Sequence, residues 1–333
     1  MRYHRVRTHV VLRALGRAVL LFWCVLSLTF ALLRLAPGDP ATFLLPPGAS
    51  SADAAQMRHD LGLDQPMRVQ YVRWLSESLA GGLGESFAEH RPVRSVIADA
   101  LPISLGLGGL SLLLSFAIGT LMGMAQAARR GTRLDVAATT MSVLLVASPA
   151  YWLGLGAIAC FTYLASSLSL PLYLRLPAIG MNTPGAELNG VAYVADLARH
   201  ALLPVSLLAA IGAAGVARYV RSSALDVIDA DWMRTARAKG ASASALYAHH
   251  LLANLRAPLV TLFALALPGT VAGSVFVETI FAWPGMGRLM VTSIVSRDYP
   301  VVMACAATFA ALVILANLVA EAMLPWADPR VSA

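Results

Sequence analysis

Six apolar stretches, at residues 15–35, 101–128, 136–166, 201–220, 257–281 and 301–326, decide what this chain can fold into. Each is long enough to cross the ~30 Å hydrocarbon core of a bilayer as a helix, which takes about 20 residues. No water reaches that core, so every backbone N–H and C=O must be satisfied within the segment, and a helix does this alone. Only 13% of the 333 residues are charged, about half the usage of a soluble domain. The chain therefore reads as an all-α, polytopic membrane protein with six transmembrane helices.

The basic start (Arg2, Arg5, Arg7, Arg13) and the apolar run after it look like a signal peptide. The run is long enough to span, however, and Pro37 follows without a small-residue cleavage site, so an uncleaved first helix is expected. Residues 36–100 form a polar excursion that opens on a Pro37-Gly38-Asp39-Pro40 turn. Ser51 can cap a helix that Gly62 stops near Leu61. Pro66 can open a second helix, with Met67, Tyr71, Trp74 and Leu75 on one stripe, and Pro92 a third that leads into the second apolar run. Ser148-Pro149 predicts a kink in the third span. Gly212 to Gly215 predict close helix packing in the fourth. Pro268, Gly269 and Gly273 are expected to interrupt the fifth, and Trp283 to Gly287 to make a tight outer turn. The resulting divisions are a first helix at 1–35, an outer subdomain at 36–100, a helical core at 101–326 with a loop at 221–256, and a tail at 327–333.

Charge sets the orientation. Arginines and the lone lysine crowd the N-terminus, the 129–133 connection and the 218–256 region, against only Arg175, Arg199, Arg288 and Arg297 in the counted loops opposite. The excess of basic residues on cytoplasmic loops places both termini and the 221–256 loop in the cytoplasm. This distribution accounts for the net charge of +7 without a nucleic-acid partner.

The sequence carries little chemistry. Lys239 is not preceded by phosphate-loop glycines, so no nucleotide motif is present. Cys24, Cys160 and Cys305 lie in apolar runs without metal or redox spacing, and neither an HExxH nor a nucleophile elbow occurs. His249 and His250 are adjacent and would point to different helix faces, which does not suit a shared metal. No catalytic residue, cofactor or metal ligand is assigned. An ATP-independent carrier or channel is the alternative from another class, but such carriers usually place ionisable groups mid-membrane. Here Asp99, Asp135, Glu278 and Glu321 all sit near span ends or boundaries.

The most distinctive polar segment is Asp231 to Pro258, read as two short helices joined at Gly240. Asp229 or Asp231 can cap the first, and Arg234, Arg237 and Lys239 crowd its C-terminal turns, where cations suit the dipole. Gly240 fits a left-handed position, Ser242 can cap the second helix, and alanines at 236, 238, 241 and 243 leave a smooth ridge.

Thr235-Ala236 followed by Gly240 sits where binding-protein-dependent importers of the ATP-binding cassette class carry their Glu-Ala-Ala loop. The string from Arg218 to Gly240 resembles the di- and oligopeptide permease branch of that class. So do RLAPGDP at Arg34–Pro40, LGLDQPMRVQYVRWL at Leu61–Leu75, VETIFAWPGMGRL at Val277–Leu289, RDYPVV at Arg297–Val302 and ADPR at Ala327–Arg330. Arg234 and Thr235 depart from the general loop, as does Ala253, which stands where that loop usually ends in proline.

The resemblance implies the type I importer permease fold in a bacterial inner membrane. It also implies four kinds of partner: a second homologous permease, two ATPase subunits, a periplasmic solute-binding protein and the lipid bilayer. Arg234, Thr235, Ala236, Arg237, Lys239 and Gly240 would form the ATPase-coupling loop, with Ala236 seated in the ATPase groove. Residues 36–100 would help receive the binding protein or simply pack as a lid. Glu278, with Trp283, Pro284 and Gly285, would form an outer gate or binding-protein contact; the plainer reading of Glu278 is a carboxylate hydrogen-bonded in the turn before Pro284. Within this branch the cargo is a peptide, with nickel chelates and glutathione as alternatives.

Overall fold

The computed structural model describes residues 2–35, 45, 48–79, 81–240, 242 and 246–327. The expected Pro37–Pro40 turn, Ala241, Ala243 and most of the ADPR string lie outside these residues. The helices are α1 (Arg2–Leu35), α2 (Ser51–Asp60), α3 (Met67–Leu79), α4 (Val93–Ala128), α5 (Arg133–Ala147), α6 (Ala150–Ile158), α7 (Val191–Ile228), α8 (Asp231–Ala238), α9 (Leu252–Ile280), α10 (Met286–Val295) and α11 (Tyr299–Ala327). Among the described residues there is no strand beyond an isolated bridge between Glu85 and Pro92. Six helical segments among the described residues are long and apolar enough to cross a membrane: Gly16–Leu35, Val93–Ala128, Ala150–Ser167, Val191–Ile228, Leu252–Thr270 and Tyr299–Met323.

The chain folds into two compact units. One comprises Met1–Pro102 and Arg288–Ile314. In it α1 runs unbroken from the basic start, and leucines such as Leu20, Leu28 and Leu32 are exposed, as suits a helix surrounded by lipid. Leu26 and Phe30 are buried. Phe30 stacks on Trp74 at 5.6 Å and meets Tyr71 edge-on at 5.3 Å, while the Ser27 and Tyr71 hydroxyls bond at 2.7 Å. The stripe expected on α3 therefore packs against α1 through Tyr71 and Trp74, but Met67, 52% exposed, drops out of it. The N-cap of α2 is Ser50, one residue earlier than expected. Its hydroxyl accepts the Asp53 N–H at 3.2 Å while the Asp53 carboxylate accepts the Ser50 N–H at 2.9 Å, a reciprocal capping box. Gly62 then takes φ +65° and ends the helix as the sequence predicts. Asp298 caps α11 and holds the 82–92 loop: Ser86 Oγ donates to its carboxylate at 2.5 Å and the Ala88 N–H at 3.1 Å.

The other unit comprises Ile103–Gly287 and Leu315–Ala333. Its axis is α7, 38 residues long, which exceeds the expected span at both ends. One apolar cluster gathers Leu203, Val205 and Leu207 of α7 with Leu107, Ile158, Val277, Phe281 and Trp283. A second joins Val216, Val220 and Ala224 to Met233, Leu246, Leu251 and Leu255. The approach of α4 to α7 needs glycine. A Cβ on Gly119 would lie 2.6 Å from Val216 Cβ, one on Gly123 2.6 Å from the Ala217 carbonyl, and one on Gly212 2.8 Å from Ser115 Cβ.

Two spans differ from the sequence expectation. The third run does not kink but breaks: α5 ends at Ala147, Ser148 is extended with ψ 137°, and Pro149 precedes α6. Proline drives the residue before it out of the helical region, so only Ala150–Ser167, which includes a π-helical turn at Ala159–Leu164, is long enough to span. Conversely, α9 is continuous through Pro258, Pro268 and Gly273, which do not interrupt it. Membrane surroundings tolerate interior prolines in this way. The helix α10 had no counterpart in the sequence reading.

Candidate functional site

The segment expected to couple to an ATPase begins where α7 stops. Asp229 closes α7, its N–H donating to the Leu225 carbonyl at 3.2 Å, and Ala230 is extended. Neither Asp229 nor Asp231 caps α8: Ala230 occupies the N-cap, without a side-chain bond, and Asp231 sits in the first turn instead. There its negative charge still suits the positive end of the helix. Its contact with Arg234 at 3.5 Å is fully solvated and contributes little.

What fixes α8 is apolar packing. Met233 is 1% exposed and packs in the second cluster, with Ala236 half-buried beside it. Three residues apart, these two share a helix face. Ala236 therefore turns toward its own unit and is half-buried against the second cluster. Trp232, Arg234, Thr235, Arg237, Ala238 and Lys239 are exposed and form the outward face. Gly240 ends the helix with φ +82° and has nothing within 4 Å of a built Cβ. Backbone conformation, rather than crowding, is what requires glycine here. The Ser242 carbonyl accepts the Leu246 N–H at 2.9 Å, ahead of a π-helical turn, Leu246–Leu251, that feeds into α9. The side chains of His249 and His250 are outside what is described.

Beside this segment lies an ion pair that sequence reasoning missed. Asp135, in the first turn of α5, takes Arg221 Nε at 2.7 Å and Nη2 at 2.9 Å, and also accepts the Gly131 N–H at 3.0 Å. Its side chain is 3% exposed, that of Arg221 28%. The Arg221 guanidinium, against the cost of burial, pulls the Asp135 carboxyl down to about 2. The only available signal was an acid at a span boundary together with a surplus of arginines across the loop.

The turn after α9 is built around Glu278, which is completely buried. Ser104 Oγ donates to Glu278 Oε1 at 2.7 Å and the Gly287 N–H to Oε2 at 2.7 Å, while the Met286 N–H donates to Ser104 Oγ at 2.8 Å. The carboxylate thus sits at the N-terminus of α10, where the free N–H groups and the dipole favour an anion. Ala282 adopts φ +52°, and the Trp283 N–H closes onto the Glu278 carbonyl at 2.8 Å. A Cβ on Gly285 would overlap the Glu278 carboxylate and lie 2.6 Å from Ser104 Oγ; one on Gly287 would lie 2.5 Å from Val275 Cα. Of the four residues read as a gate or docking contact, Glu278, Trp283 and Gly285 are buried and only Pro284 is exposed. The carboxylate is a latch between α4, α9 and α10. Among the described residues, no group of three or more His, Cys, Asp or Glu could hold a metal ion.

Comparison with known proteins places the chain. Residues 116–333 match the family model described as "Binding-protein-dependent transport system inner membrane component", and residues 6–108 match the corresponding N-terminal model. The chain is 37% identical over 305 residues to the oligopeptide transport system permease protein AppB of Bacillus subtilis, covering 91% of this chain and 93% of that one. It is 36% identical over 331 residues to the di/tripeptide transport system permease protein DppB of Pseudomonas aeruginosa, covering 96% and 98%. A chain of the MetNI methionine ABC transporter, in an inward-facing crystal form, aligns over 71% of this chain and 97% of its own with a TM-score of 0.55 at 16% identity, a likeness of fold. The chain belongs to the inner membrane components of binding-protein-dependent transport systems: it is a multi-pass permease subunit with the type I importer fold.

Proposed function

We propose that this permease subunit forms, with a second homologous permease, the path by which peptides cross the inner membrane. A periplasmic solute-binding protein would deliver the cargo, and two ATP-binding cassette ATPase subunits would supply the energy. Peptide as the substrate class is supported by the names of the relatives, among them a probable D,D-dipeptide permease of Escherichia coli at 37% identity over 314 residues. The distribution of arginines supports a cytoplasmic position for both termini and α8.

The observation that carries the mechanism is the two-faced packing of α8. Met233 and Ala236 fasten it to its unit, leaving Arg234, Thr235, Arg237 and Lys239 outward, next to a glycine-fixed bend. Closure of the ATPase pair on ATP presses on this face. The push passes through Met233 into α7 and α9, opening the path outward, and hydrolysis resets it. Arg237 and Lys239 supply positive charge for acidic groups on the ATPase, and Ala236, only half-buried, leaves a small flank that fits the ATPase groove.

The test is reconstitution of the whole complex in proteoliposomes. Arg237→Glu is expected to lower ATP-driven peptide uptake more than tenfold while insertion and co-purification of the second permease stay normal. Unchanged uptake would refute the coupling role of this face. Transport by the chain alone, without ATPase, would refute the reading altogether.

A further inference from the structure

Three strings singled out in the sequence, at Arg34, at Leu61–Leu75 and at Tyr299, meet around one cavity of about 510 Å³ in the unit that holds the outer subdomain. That volume suits a small-molecule site. Arg34, His59, Gln70, Arg73, Trp74 and Tyr299 line it.

Two of these groups are left wanting. Arg34 is half-buried with its guanidinium carbon 5.3 Å over the Phe30 ring, and no carboxylate among the described residues pairs with it. Arg73, by contrast, is matched by Glu77 at 2.9 Å, and His59 by Asp64 at 2.8 Å. The side-chain amide of Gln70 is held by its nitrogen, which donates to the Leu63 and Gln65 carbonyls at 3.2 and 2.7 Å. That fixes Oε1, which is buried without a partner. A partly buried cation and a buried, oriented acceptor both cost free energy unless something meets them. The complement is an anion that also carries an N–H or O–H donor.

Depth selects among such molecules. Arg34 is the penultimate residue of the spanning segment Gly16–Leu35, so the cavity opens at the level of the headgroups. Trp74 and Tyr299 beside it are the aromatic types that favour that level. We propose that this cavity is a phospholipid site. The lipid phosphate pairs with Arg34, and an ammonium or hydroxyl of an ethanolamine or glycerol headgroup donates to Gln70 Oε1. The chains leave along the exposed apolar surface of α1. The site is independent of what the permease carries.

The test uses the full chain, delipidated in mild detergent and titrated with mixed micelles of phosphatidylethanolamine or phosphatidylglycerol, with native mass spectrometry counting adducts. Wild type is expected to retain one lipid per chain at micelle compositions where Arg34→Gln retains about tenfold less, the ratio expected for loss of one charge-assisted bond. Arg34→Lys should recover most of the retention, and Arg68→Gln, exposed on α3, should behave as wild type. Thermal unfolding of each variant checks that the unit is folded, and a folded Arg34→Gln with undiminished retention overturns the proposal. So does displacement of the lipid by millimolar inorganic phosphate, which would mark a simple anion site. Occupancy by a short peptide in preference to either lipid overturns it too.

Discussion

Breaking the Asp135–Arg221 pair tests the reading of the second unit most directly. Asp135→Asn keeps the size and the hydrogen bond from Gly131 but removes the charge that Arg221 grips with two nitrogens. The folded carboxyl stands at about 2 against an ordinary 3.8. A gap of nearly two units, at 1.36 kcal/mol each, is on the order of 2 kcal/mol. In a double-mutant cycle with Arg221→Gln, that amount should appear as coupling, so the double variant loses less than the sum of the singles. Unfolding of a membrane protein in detergent is usually irreversible, so the measure is a rate of thermal inactivation. Where the pair is broken at the barrier, 2 kcal/mol corresponds to about thirtyfold faster loss in either single variant. The pH dependence has a definite sign. A depressed carboxyl stabilises fully above its unfolded value and loses that stabilisation as pH falls through the folded one. The wild-type and Asp135→Asn profiles should therefore run parallel from pH 5 to 8 and converge only below about pH 4. Additive single effects, or convergence near neutrality, would refute the assignment.

Three further outcomes follow from the geometry. Glu278→Ala orphans the Ser104 hydroxyl and the Gly287 N–H in a dry site and should cost about 3–5 kcal/mol, whereas Glu278→Gln, which can still accept one of the two bonds, should cost about half as much; inactivation rates rank them. Gly285→Ala drives a methyl into the same carboxylate and should lower stability by about 1–3 kcal/mol, read as a drop in melting temperature. Gly240→Ala meets no neighbour, so it should cost only the ~1 kcal/mol of left-handed strain and transport near normally, while Gly240→Glu should insert but fail in ATP-driven uptake.

The spans were legible because the bilayer enforces one solution on any long apolar run. What composition could not reveal is local. Ser148-Pro149 breaks its helix while Pro268 does not. The outward face of α8 was visible as a cluster of cations, but the packing of Ala236 against its own unit was not, because its direction depends on Met233, three residues earlier, finding a pocket. Glu278 could be flagged as a lone acid at a helix end, but its partners Ser104 and Gly287 stand 174 and 9 residues away. No spacing rule joins them. The Asp135–Arg221 pair, 86 residues apart, was hidden for the same reason.

The length of α7 has a mechanical consequence. Its 38 residues make a rod of about 57 Å at 1.5 Å per residue, nearly twice the thickness of the hydrocarbon core. Pro204 lies within it, at a point where one backbone bond is missing. From there to Ile228 the arm is about 36 Å long. A tilt of only about 10° at that proline would swing the far end, and α8 with it, through about 6 Å. A displacement of one helical turn at the α8 end thus needs no sliding of helices past one another. It asks for a small rotation at one residue, and the same arithmetic run backwards turns a stroke of about 6 Å at α8 into about 3 Å at the Val191 end, roughly 20 Å from the proline.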